Sequence, residues 1–208
     1  MVSANNTLGN EIQAPSSASG VQSTPSIATL SNGNFVVAWV DPSNSNDIKS
    51  RVFDSTGTAV SGSEFTVNAT TTGAQTAPSV AGLSNGNYVV TWRDPANSGD
   101  IFARIVSATG TVSSELTVAG GAASQTAPKV AALSGGGFVV VYQEVGATEG
   151  SVTDSSTEGN VYGVRYDNSG TVTGQKFLVN SLTLGSQVSP TITALANGGF
   201  AVGWASNT

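Results

Sequence analysis

Residues 75–95 read QTAPSVAGLSNGNYVVTWRDP, and three other stretches carry the same text with small changes: QSTPSIATLSNGNFVVAWVDP at 22–42, QTAPKVAALSGGGFVVVYQEV at 125–145 and QVSPTITALANGGFAVGWASN at 187–207. The anchoring prolines, Pro25, Pro78, Pro128 and Pro190, stand 53, 50 and 62 residues apart. A period near 50 residues that holds several short strands is the signature of a propeller or solenoid-like array.

Each copy resolves into strands from its own residues. Ser26–Leu30 predicts a first strand, the Asn-Gly of 31–34 a tight hairpin, and Phe35–Val40 a second strand. Ile48–Phe53 and Glu64–Asn68 predict a third and a fourth, separated by the turn residues Asp54-Ser55-Thr56-Gly57. Phe35, Val37 and Trp39 alternate with Val36, Ala38 and Val40, so both faces of the second strand are apolar. A strand covered on both sides belongs to a sheet stacked between others, as in propeller blades. The fold class expected is therefore all-β: a β-propeller-type array of four-stranded antiparallel blades, forming a single repeat domain over 1–208. Its repeats run about 21–68, 74–118, 124–180 and 186–205. An orphan fourth strand is expected at 10–14, where 9–14 matches 63–68. Three blades are full and one is split between the ends, so the sequence predicts a ring completed by a second copy or by a longer chain.

Composition limits the function. Gly occurs 25 times and charged residues make up only 10%, which suits short strands joined by many turns. Seven basic against thirteen acidic residues leave a net charge of −6, which repels a phosphate backbone and argues against nucleic acid as a partner. No apolar run approaches the ~18 residues of a membrane-spanning helix, so membrane insertion is not expected. There is no Cys and no His, which removes the strongest side-chain nucleophile and the usual base at neutral pH. Carboxylate pairs of the kind that cleave glycosides remain open.

Two sets of residues are candidate sites. The loops 41–47 and 94–100 each place two carboxylates, Asp41 with Asp47 and Asp94 with Asp100, around an Asn, and such hard oxygen donors suit Ca²⁺. The plainer role, a turn begun by Asp-Pro and stapled by the second Asp, weighs more. The rings Trp39, Trp92, Tyr142 and Trp204 recur at one position and could stack on sugars, repeated for avidity, or pack between blades as core. Packing weighs more there too. Arg51 and Arg104 align, whereas Arg165 falls one residue later and is expected on the opposite face. The insertion at 145–159 breaks the symmetry and is a candidate binding loop.

The pattern P-x-V-A-x-L-x-N-G-x-[FY]-V-V-x-W, followed by D-I-x-x-R-V-F-D and E-F-x-V-N, resembles repeats of very large secreted or surface-attached bacterial proteins, the RTX-type adhesins and calcium-associated hemolysin-like proteins. The resemblance spans Glu11 to Trp204. It implies propeller-like blades, an extracellular or cell-surface location, and a non-enzymatic adhesive or carbohydrate-binding role toward a glycan or surface ligand. Calcium is the only cofactor it raises. A self-assembling scaffold without a small ligand and a carboxylate-based glycoside hydrolase stand as the alternatives.

Overall fold

The computed structural model describes residues 11–17, 19–60, 64–97, 99–146, 158–182 and 184–207. They form four antiparallel sheets, one per repeat. Blade 1 holds β1 (Ser23–Thr29), β2 (Phe35–Asp41), β3 (Asp47–Phe53) and β4 (Phe65–Thr66). Blade 2 holds β5 (Thr76–Gly82), β6 (Tyr88–Asp94), β7 (Asp100–Val106) and β8 (Leu116–Ala119). Blade 3 holds β9 (Ser124–Ala132), β10 (Phe138–Val145), β11 (Gly159–Tyr166) and β12 (Phe177–Leu178). Blade 4 is the pair β13 (Ser186–Ala194) and β14 (Phe200–Asn207). Within each sheet the strands lie in sequence order, which is the meander of a propeller blade.

The first strands β1, β5, β9 and β13 stack beside one another along the array, and each blade lays one face on the next. The rear of blade 1, with Val36, Ala38 and Val40, packs against Tyr88, Val90 and Trp92 on the front of blade 2. The rear of blade 2, through Val89, Ala103 and Ile105, meets Phe138, Val140 and Tyr142 of blade 3. Val139, Val141 and Val161 of blade 3 meet Ile192, Phe200 and Val202 of blade 4. The two-sided apolar second strand is thus explained: each face belongs to a different inter-blade core. One polar pair sits inside, where the Tyr88 hydroxyl and Ser50 Oγ lie 2.9 Å apart. Burial there pushes the Tyr88 phenol up to about 12, a rise only partly offset by the Ser50 hydrogen bond.

Local sequence sets the turns. The Asn-Gly hairpin closes with Gly33 N–H donating to the Leu30 carbonyl at 3.0 Å and Leu30 N–H to the Asn34 carbonyl at 2.8 Å. Gly33 has φ 86°, the left-handed conformation that follows a type I turn in a three-residue hairpin loop. The Gln-x-x-Pro motif does something its letters did not announce. In all four first strands the residue before the proline (Thr24, Ala77, Ala127, Ser189) has φ between 48° and 53°, and the ladder gains one residue there. Each motif therefore builds a β-bulge, which bends the strand at the same point of every blade.

Of the orphan strand expected at 10–14, residue 10 lies outside the described residues and residues 11–14 carry no ladder. Their place is still that of a fourth strand. They lie on the front of blade 1, where Ile12 and Ala14 join Ile27, Phe35, Val37 and Phe53 around an apolar groove of about 610 Å³. Blade 4 leaves Ala201, Gly203 and Ala205 exposed on its rear face. Arg165 pairs with Val139 whereas Arg51 and Arg104 pair with Val37 and Val90, so Arg165 emerges on the other face, 5.7 Å from the Phe200 ring. Most of the insertion, 147–157, lies outside the described residues.

Candidate functional site

The four acidic candidates lie where the second strand of a blade turns into the third. Asp41 and Asp47 face one another as the last pair of the β2–β3 ladder, and Asp94 and Asp100 do so in β6–β7. Asp41 accepts from Ser43 N–H at 2.8 Å and Ser43 Oγ at 2.6 Å, capping the one-turn 3-10 helix Pro42–Asn44. Asp94 accepts from Ala96 N–H at 2.9 Å. These first carboxylates are turn-formers. The second ones face the junction with the next blade, and there the two blades differ. Each keeps one carboxylate oxygen buried without a partner, but Asp47 accepts from the Asn68 amide at 2.8 Å, whereas Asp100 accepts from the backbone N–H of Gly121. Burial raises the pKa of Asp100; the backbone N–H of Gly121 opposes this and the charge of Asp94 adds to it.

Among the described residues no group of three metal-holding side chains forms, and calcium gains no support. Glu144, at the corresponding place in blade 3, is bound by Lys176 at 2.9 Å. That lysine also lies 4.4 Å from the centre of the Tyr162 ring.

The aromatic candidates divide. Trp39, Trp92 and Tyr142 are 2%, 1% and 0% exposed, and the latter two stack on Phe102 and Tyr162 inside the junctions. Their faces are taken up by protein, so the shared position is mainly a packing position. Trp204 is 39% exposed and tied through Nε1 to Oε1 of Gln187 at 3.1 Å. It is the ring of this series that could receive a sugar face.

Sequence reading did not find the cavity at the hairpin end of the first strands. Its volume is about 420 Å³, and it gathers Leu30, Leu83, Leu133 and Leu195 with the hydroxyls of Ser31, Ser84 and Ser134. The signal was present in the repeated L-[SA] of every hairpin; its convergence on one place follows only from stacking the blades.

No family model matches the sequence, and no curated protein does. The fold matches solved glycoside hydrolases. An endo-arabinase from Bacteroides thetaiotaomicron superposes with a TM-score of 0.56 at 11% identity, over 86% of this chain and 68% of that one. The GH93 α-L-arabinofuranosidase of Fusarium graminearum, solved with arabinobiose, gives 0.56 at 15%, over 86% and 58%. The α-L-arabinanase of Penicillium chrysogenum, also with arabinobiose, gives 0.55 at 15%, over 86% and 58%. The chain thus spans 58–68% of the length of these proteins, and they establish its β-propeller-type fold.

They also correct two expectations. The RTX-type adhesin resemblance gives way to arabinanase-type neighbours; the residues that carried it are turn and core residues that such blades need for folding. The expectation of a non-enzyme falls with it, because these neighbours are hydrolases and glycoside cleavage by carboxylates requires neither His nor Cys. Neither calcium nor a ring-completing second copy gains support from them.

Proposed function

We propose that this chain is a carbohydrate-active propeller that binds and hydrolyses a glycan of the arabinan type. The observation that carries the reading is the facing pair Asp94 and Asp100, on a fold shared with arabinanases. Glycoside cleavage needs one carboxyl that keeps its proton to give to the leaving oxygen, and a second carboxylate across the bond. Asp100, its pKa raised by burial, takes the acid role, and Asp94 stands as the partner carboxylate. The exposed ring of Trp204 supplies a stacking face for a sugar farther along the glycan. A polymeric substrate does not cross a membrane, which supports an extracellular or cell-surface location.

The test is release of reducing ends from arabinan, xylan and β-glucan between pH 4 and 8. Release from arabinan is expected, falling by about 10²-fold or more in Asp100→Asn. Neither binding nor release with any of the three would overturn the reading, and full activity in Asp100→Asn would remove Asp100 from it.

A further inference from the structure

Among the described residues blade 4 has two strands, so β14 pairs with β13 on one side and with no strand on the other. In the complete blades that outer side carries a third strand along its whole length: β3 on β2, β7 on β6 and β11 on β10. β14 is as long as β10, eight residues each, and its sequence FAVGWASN has no charge and no proline, the usual guards of an edge strand. The Leu195 N–H donates to the Gly199 carbonyl at 2.9 Å. From there the alternation of an antiparallel ladder turns the backbone groups of Ala201 and Gly203 toward β13 and those of Phe200 and Val202 outward.

Two side chains say what kind of strand fits. Trp92 and Tyr142 stack on the residues opposite them in the third strand, Phe102 and Tyr162, with ring centres 6.2 and 6.4 Å apart. Trp204 holds the same place in blade 4 and is exposed. The other is Arg165. On the rear of blades 1 and 2 its position is Val52 and Ile105, which share the inter-blade cores with Val106 and Tyr166, the last residues of the next blade's third strand. On the rear of blade 3 a cation stands there instead, exposed beside the Phe200 ring, and among the described residues no acid pairs with it.

We propose that the outer edge of β14 is a docking site for an extended segment of another polypeptide, which adds as the antiparallel third strand of blade 4. The segment carries an aromatic residue opposite Trp204 and an acidic residue four positions later, opposite Phe200 and beside Arg165. Main-chain hydrogen bonds to Phe200 and Val202 supply affinity, and Trp204 and Arg165 select the sequence. The docked strand extends the core between blades 3 and 4 at its open side, where Phe177 and Val179 are half-buried. The inference does not rest on the glycan reading, although both use the ring of Trp204.

The experiment titrates the ¹⁵N-labelled protein, without saccharide, with two synthetic peptides: the β11 sequence GNVYGVRY, and the same peptide with its last residue exchanged, Tyr166→Glu, which sets an acid opposite Phe200. Saturable shifts are expected at the amides of Phe200 and Val202 and at the Trp204 indole, with none in β6 or β10. The acidic peptide should bind about threefold tighter, the size of a partly exposed ion pair, and lose that advantage against the Arg165→Gln protein. No shift in β14 with either peptide overturns the docking site. So does a dimer of the protein alone that already protects the β14 amides, because a second copy then takes the edge. Equal affinity of the two peptides, or an advantage that survives Arg165→Gln, overturns the acidic requirement. Each of these outcomes leaves the hydrolase reading standing.

Discussion

Arg51 donates from Nη1 to the carbonyl oxygen of Ala14 at 3.1 Å, the same bond that Arg104 makes to Val67 at 2.7 Å. Ser16 N–H likewise binds Glu64 at 3.0 Å, as Ala69 N–H binds Glu115. Ala14 to Val67 and Ser16 to Ala69 each carry the offset of 53 residues between the first two repeats. The segment before blade 1 is therefore held in the place of a fourth strand, one residue out of the register suggested by matching 9–14 with 63–68. Arg51→Ala should release it, at a cost of about 1–2 kcal/mol. Amide exchange at Ala14 and Ser16 should speed up while exchange in blades 2 and 3 stays as it was.

Asn68 closes a buried cluster with Asp47, Gln75 and the Ile48 N–H. Asn68→Ala leaves all three buried and unsatisfied and should cost about 3 kcal/mol, at roughly 1–3 kcal/mol per stranded group before relaxation. Urea unfolding measures this, and a loss under about 0.5 kcal/mol would show that the cluster is not structural.

Asp54 and Asp167 sit at matching turns, each accepting two backbone N–H groups and a hydroxyl. The Thr56 hydroxyl first, then the Thr58 N–H, lowers the pKa of Asp54; the Ser169 hydroxyl and Thr171 N–H do so for Asp167. A depressed folded pKa contributes stability that is present above the unfolded value near ~3.9 and lost as pH falls through the folded one. The double variant Asp54→Asn, Asp167→Asn should melt below wild type at pH 7, with the gap closing toward pH 2. Asp100 acts in the opposite sense, because its raised pKa lowers stability above that pKa and the penalty lifts on acidification.

Ala77 holds φ at 53° before Pro78. The left-handed region costs an L-residue about 1–2 kcal/mol, and a β-branched side chain suffers most there. Ala77→Gly should keep or raise Tm, its relief of strain offsetting the added chain entropy. Ala77→Val should lower it. The reverse order would mean that the bulge is unstrained.

The repeat was legible because blades reuse the same local instructions: Asn-Gly for the hairpin, Asp-x-x-Gly for the outer turn, and alternation on two apolar faces for a strand between sheets. Trp39, Trp92 and Tyr142 could not be assigned from the letters, since an aromatic residue in a strand looks the same whether it meets a sugar or the next blade. Their burial came from blade 1 closing on Trp92, from blade 2 closing on Tyr142 and from the segment before blade 1 covering Trp39. The acids were found as residues but not as a site. Asp47 and Asp100 are equivalent in sequence, and only the amide facing one and the methyl group facing the other separate them.

By itself, then, the sequence determined the blade, its strands and its repetition, because turns and alternation are local and depend on neighbours along the chain. The tertiary structure alone decided which strand face met which blade, that residues 11–16 lie on blade 1 as a fourth strand would, and that Asn68 closes a buried cluster with Asp47 and Gln75 whereas Ala119 offers Asp100 no amide. Those outcomes depend on residues brought together across blades, where burial removes water and makes each polar contact count.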